Sequence, residues 1–137
     1  MSQHYGPSVR LNDARRAAAA ALAEAARNGW TMAAAVVDTA GHLVYFERMD
    51  DVQAGSVAVA QDKARSAALF KRPTKMFQDA LAAGGEGLRI LGIQGAVPVD
   101  GGVPIIVGGQ VAGAIGLSGG TSAQDGQCAK AGADTLL

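Results

Sequence analysis

Cysteine is nearly missing from this sequence: Cys128 is the only one in 137 residues. A lone thiol excludes an intrachain disulfide and any zinc site built on cysteine pairs. Histidine is almost as scarce, with His4 and His42 alone. No H-x-x-H, C-x-x-C or two-histidine–carboxylate spacing occurs, which argues against a mononuclear metal site. Aromatics make up 4% of the chain, so the core has to be built from Val, Ile and Leu with close-packed Ala and Gly. No apolar run approaches the roughly 18 residues of a membrane span. The opening residues, MSQHYGPSVRLND, contain no apolar signal-peptide core. An excess of one charge sign is missing too: 12 basic residues balance 12 acidic ones, and Lys and Arg form no tract. A nucleic-acid surface is therefore not expected. These absences leave a cytoplasmic protein with neither membrane nor nucleic-acid partners as the expectation. Near-zero net charge suits an oligomer that hides its apolar surface.

What is present fits one domain over residues 1–137, with residues 1–10 as a loose N-terminal arm. Such a length buries roughly 65–70% of its unfolded surface and needs no staples. An alanine-rich segment from Asn12 to Arg27 predicts a helix, with Asn12 as N-cap, Asp13 at the positive dipole end and Asn28-Gly29 as the stop. Thr31 to Val37 predicts a buried strand and His42 to Arg48 the returning one. Asp38-Thr39-Ala40-Gly41 between them has the composition of a type I turn. In the returning strand, simple alternation puts Leu43, Tyr45 and Glu47 on one face and His42, Val44, Phe46 and Arg48 on the other.

Ser56 to Phe70 predicts a second helix, capped by Ser56, and Pro73 stops it. Thr74 caps a short third helix through Leu81, after which Gly84-Gly85 and Gly87 open a mobile loop. Val103–Val107 and Gln110–Leu117 form a hairpin turned by Gly108-Gly109. Ser122 to Leu137 forms the last helix, with Ser122 and Asp125 as a capping box. Gly113 and Gly116 lie three apart, so they face opposite sides of their strand and at least one serves packing. Two antiparallel hairpins among helices make this an α+β domain.

Three stretches carry a family resemblance. "AAVVDTAGHLVYFERMDDV", "SVAVAQDKARSAALFKRPT" and "GGVPIIVGGQVAGAIGLSGGTSAQD" contain, in order, VxDxxGxLxxxxRMD, DKAR(S/T)A, GGxPI and GAIGxSGG followed by QD. They resemble the GlcG/HbpS family, which includes the C-terminal domain of PduO-type cobalamin adenosyltransferases, over about Leu11 to the C-terminus. The resemblance implies a profilin-like fold with a five-stranded antiparallel sheet, in the order α-β-β-α-α-β-β-β-α. It also implies dimer-based homo-oligomers such as hexamers or octamers. Some members bind haem, and some of those degrade it or sense redox state, so haem is the cofactor implied.

Each candidate site has two readings. Ser118-Gly119-Gly120-Thr121 reads either as a backbone nest for a carboxylate or phosphate at a helix start, or as a plain capping turn. Arg48 and Met49, at a strand end, read as a carboxylate fork and a pocket wall, or as a surface ion pair and a buried methionine. Asp62, Arg65 and Ser66 share a helix face, and Lys63 beside them reads as a desolvated base or carboxylate binder, or as part of a solvated charged face. By resemblance, Ser66 stands where haem-binding relatives place a hydroxyl on iron, in place of a common threonine. His42 and His4 are the only imidazoles that could ligate haem iron. Cys128 reads as a small buried residue. These candidates converge on a pocket between the end of the second strand, the Lys63 helix and the Ser118–Thr121 loop. Three functions stay open: a small-ligand binder, by resemblance for haem or another tetrapyrrole; an enzyme of small-acid or aromatic catabolism, with Lys63 or Asp38 as acid/base and Arg48 plus the loop amides holding a carboxylate; and a structural partner of a pathway enzyme.

Overall fold

The computed structural model describes residues 3–137. Its elements run α1 (Leu11–Arg27), β1 (Ala33–Val37), β2 (Leu43–Arg48), α2 (Ser56–Phe70), α3 (Thr74–Ala82), a 3-10 helix (Gly85–Gly92), β3 (Gly102–Val107), β4 (Gln110–Ser118) and α4 (Ser122–Asp134). The sheet is antiparallel, in the order β2-β1-β4-β3. It has four strands where five were expected. The chain before β3 does not pair because its backbone donors go to side chains: Val97 N–H donates to Ser66 Oγ and Asp100 N–H to Gln78 Oε1. The expected mobile loop after α3 carries the 3-10 helix, which packs on α3 through Ile90.

Alanine sets the layer spacing. α1 presents Ala14, Ala17, Ala18, Ala21 and Ala25, all fully buried, and packs with α4 on one face of the sheet. α2 covers the other face with Ala60, Ala64, Ala67 and Ala68. The central strands are buried on both sides, so β1 reads as an unbroken apolar run, AAAVV. Gly116 of β4 shows how close α2 comes: a Cβ there would lie 2.1 Å from the Ala60 carbonyl oxygen. Gly113 is also a packing position, with its own added Cβ 2.1 Å from the Val37 carbonyl oxygen.

Both hairpins turn as their sequences predict. Gly41 N–H donates to the Asp38 carbonyl, and Gly108 and Gly109 both adopt positive φ, as a type I′ turn requires. Several local details differ. A register shift in β2 places Leu43 opposite Val37 and Tyr45 opposite Val36, which belong to different core faces, so the simple alternation fails. Asn12 lies inside α1, whose N-cap is Arg10. The capping box of α4 is Thr121 with Gln124, one residue before the expected pair. Ser56 and Thr74 are fully buried and hydrogen-bond to the sheet layer instead of capping their helices.

The N-terminal arm is tied down. His4 and Gly6 flank Val111 of β4 with backbone hydrogen bonds, Val9 N–H donates to Ala112, and the Tyr5 hydroxyl donates to the Ala68 carbonyl. Among the described residues, no helix is long and apolar enough to cross a membrane.

Candidate functional site

The antiparallel register gives the sheet two ends. One carries both hairpin turns; the other carries Arg48, Met49, Gly101-Gly102 and Ser118, since Ala33 pairs with both Arg48 and Ser118. Most of the expected site does gather at this second end, where its side chains and loop pack against one another. Lys63 leaves α2 to donate to Asp125 Oδ2 at 2.9 Å and to the Leu117 carbonyl at 3.1 Å, with its side chain 1% exposed. It is neither a solvated charge nor an open base. Burial pushes the Asp125 carboxyl above its ordinary range, and the Lys63 ammonium and the Gly120 N–H pull it partly back.

The glycine-rich loop serves this ion pair. Gly120 N–H donates to Asp125 Oδ1, Thr121 N–H donates to Gln124 Oε1, and Thr121 Oγ1 accepts from Gln124 N–H. Ser118 Oγ donates to Ser56 Oγ inside the protein. A Cβ on Gly119 would lie 2.3 Å from the Thr31 carbonyl oxygen, at φ +149°. The expected anion nest therefore has its Gly120 and Thr121 amides committed to the chain itself. Its work is to hold Asp125 against Lys63.

The other candidates separate. Met49 packs against the α1–α4 core, and its Sδ accepts from Met32 N–H at 3.4 Å. Arg48 is exposed, with no carboxylate within 4 Å among the described residues. Ser66 is fully buried, and its hydroxyl accepts from Val97 N–H. It shares the buried face of α2 with Lys63, while Asp62 and Arg65 are exposed. Asp38 sits at the hairpin end, far along the sheet from Lys63, and its Oδ1 accepts from the Ala40 and His42 amides. That is the work of a turn residue. His42 and His4 are both exposed, His42 with a side chain 81% open. Cys128 is buried, and burial pushes its thiol up to about 11.

A cleft of about 600 Å³ lies elsewhere, along the open edge of β3. One wall is β3 itself, with Val103, Pro104 and Ile106; the other is α4, with Ala123, Gly126 and Lys130; Lys71, Pro73 and Lys75 close it from the α2–α3 junction. Its volume is in the range of small-molecule sites, roughly 300–1,000 Å³. Three lysines rim an apolar trough together with two acids, Asp100 at one end and Asp134, which pairs with Lys130 at 2.6 Å. The buried Lys63–Asp125 pair stands behind that end, next to Gly126.

The β3 edge is blunted against another strand. Gly101 C=O accepts from Leu117 N–H, which by antiparallel alternation turns the polar groups of Gly102, Pro104 and Ile106 outward. Gly102 N–H is taken by Thr74 Oγ1 at 2.9 Å, and Pro104 has no N–H. Only Ile106 is left to donate on that edge. The cleft thus offers little to an added strand and more to an apolar molecule with anionic arms. The sequence pattern missed this site because its residues come from four separate segments. The one local signal was a proline inside a strand, in "VPVDGGVPIIV", which marks an edge.

Comparison with known proteins points in one direction. The family described as "Haem degrading protein HbpS-like" matches residues 9–134. The chain is 42% identical to protein GlcG of Escherichia coli K12 over 100 residues, 73% of each chain. It superposes on a double-mutant form of HbpS from Streptomyces reticuli with a TM-score of 0.87 at 30% identity, covering 100% of this chain and 91% of that one. A PduOC–haem complex shares the fold, with a TM-score of 0.83 at 24% identity over 94% of this chain and 95% of that one.

Proposed function

The chain belongs to the HbpS-like family, and from that premise we propose that it binds haem or a related tetrapyrrole in the cleft between β3, α4 and the α2–α3 junction. One observation carries the placement: an apolar trough with Lys71, Lys75 and Lys130 on its rim, the shape that an apolar macrocycle needs, with cations that two propionates could draw from their surface partners Asp79 and Asp134. The residues fit the macrocycle better than the metal. Neither histidine nor cysteine, methionine or tyrosine lines the cleft, so it offers iron none of the usual protein ligands. Affinity then comes from the ring and its carboxylates. When bound, haem would supply its own redox chemistry; the chain contributes walls that exclude water and ammonium groups that orient the propionates.

Lys63 and Asp38 do not support the acid/base reading. The first is sealed in an ion pair and the second is spent on a turn. The binder reading therefore stands ahead of the small-acid enzyme. The family's oligomeric habit is proposed for this chain too, and Leu88 and Leu91 are the residues to probe. Three residues apart on the 3-10 helix, they share one face and are 55% and 70% exposed.

A hemin titration followed by the Soret band tests the reading. Saturable binding is expected, with affinity falling at least about tenfold in Ala123→Trp, which fills the trough, and in Lys130→Glu, which reverses a rim charge. Equal affinity in wild type and both variants would remove the cleft from the account.

A further inference from the structure

Two acids line the cleft: Asp134 is paired with Lys130, while Asp100 is built in against α4. Its N–H donates to Gln78 Oε1 at 2.7 Å, fixing the backbone. Its two carboxylate oxygens lie against Gly126, each 2.5 Å from where a Cβ would stand. Gly126 is inside α4, where glycine costs about 1 kcal/mol relative to alanine. The helix thus gives up a side chain where Asp100 rests. The cations nearby are already engaged: Lys75 with Asp79 at 2.9 Å, and Lys63 with Asp125 and Leu117. No side-chain hydrogen bond or ion pair reaches the Asp100 carboxyl among the described residues.

We infer that Asp100 is a proton-linked receptor for a ligand carboxylate, donating its own proton in a carboxyl–carboxylate hydrogen bond beside the Lys75 ammonium. This rests on the cleft being the ligand site. The groups around Asp100 agree with it. Burial raises the carboxyl above its ordinary range; Asp79 on α3 raises it further; Lys75 on α3, Lys63 on α2 and the adjacent Gly101 amide lower it, without cancelling the rise. On α4, Asp125 lies behind it, itself raised by burial, and Asp134 farther along the cleft is paired with Lys130. An anion entering beside Asp100 favours the protonated carboxyl still more. No bond is made or broken; one proton is taken up from solvent when the ligand arrives with Asp100 ionised.

The experiment measures hemin affinity between about pH 5 and 8 for wild type, Asp100→Asn and Ala123→Trp, with hemin dimethyl ester, which keeps the iron, as a carboxylate-free probe. Above the Asp100 titration, wild-type affinity for hemin falls by up to about tenfold per pH unit, the limit for one linked proton. Asp100→Asn, which keeps a donor without a proton to lose, binds hemin with a flat profile. The ester binds wild type with a flat profile as well. A wild-type slope retained in Asp100→Asn, or shown equally by the ester, overturns the inference. The ester arm needs no variant, so a folding defect in Asp100→Asn cannot hide the answer. Hemin binding undiminished in Ala123→Trp, or absent from wild type, sinks the cleft reading and this inference with it. A flat wild-type profile with binding still blocked by Ala123→Trp sinks the inference alone.

Discussion

Lys63 and Asp125 meet inside the protein, Nζ to Oδ2 at 2.9 Å, with side chains 1% and 4% exposed. They join α2 to the first turn of α4 across the end of β4. Removing one partner leaves the other as a buried, unanswered charge. Lys63→Met is predicted to lower unfolding free energy by about 3–5 kcal/mol, and the double variant Lys63→Met with Asp125→Leu to recover most of that loss. Urea denaturation of the three proteins checks it. A loss below about 1 kcal/mol in the single variant would show that the pair is not closed to water.

Acid and base should act on the fold through the two raised carboxyls. Asp100 and Asp125 hold protons more tightly folded than unfolded, because burial raises both. Their contribution to stability is then fully present below the unfolded carboxylate range and is lost as pH rises through the folded values. Stability measured by urea from pH 4 upward should therefore fall through that window, and fall less in Asp100→Asn. An unchanged profile in that variant would mean that Asp100 titrates alike in both states.

Cys128 should be silent in the native protein. Its thiol is buried and pushed up to about 11, so almost no thiolate exists at neutral pH. A thiol reagent at pH 8 is expected to label it only at the rate of unfolding. Prompt stoichiometric labelling would contradict the burial.

The glycine loop before α4 should behave as structure. Gly119→Val and Gly113→Val both force a side chain into backbone at positive φ, 2.3 Å and 2.1 Å from carbonyl oxygens. Comparable destabilisation of both is expected by thermal melting. A stable Gly119→Val that had lost hemin binding would restore the loop as a ligand site.

If copies of the chain associate through the 3-10 helix, Leu88→Glu with Leu91→Glu should yield a smaller species by light scattering, with the fold intact by circular dichroism. Unchanged mass would place the contact elsewhere.

The sequence carried the hairpins and helices well because each has a local cause: Asp38 and Gly41 in one turn, Gly108-Gly109 in the other, alanine runs on α1 and α2. Capping was less legible. Thr121 and Ser122 are adjacent and chemically alike, and only the backbone decides which is the cap. The missing fifth strand turned on Ser66 and Gln78 capturing Val97 and Asp100, contacts that span 31 and 22 residues. The site was misplaced for a related reason. Lys63, Arg48 and the glycine loop are conspicuous in the chain, yet burial assigns Lys63 and the loop to packing. The cleft residues are ordinary lysines and aliphatics, and only the open edge of β3 brings them together.

The contact surface of a tetrapyrrole on the chain can be read directly. Amide chemical shifts mapped by NMR with protoporphyrin IX, which lacks a paramagnetic metal, would show it. The largest changes are predicted at Val103, Ile106, Ala123, Gly126 and Lys130. Changes confined to Asp38–Arg48, Ser66 or Ser118–Thr121, with the β3 edge unmoved, would contradict the cleft reading.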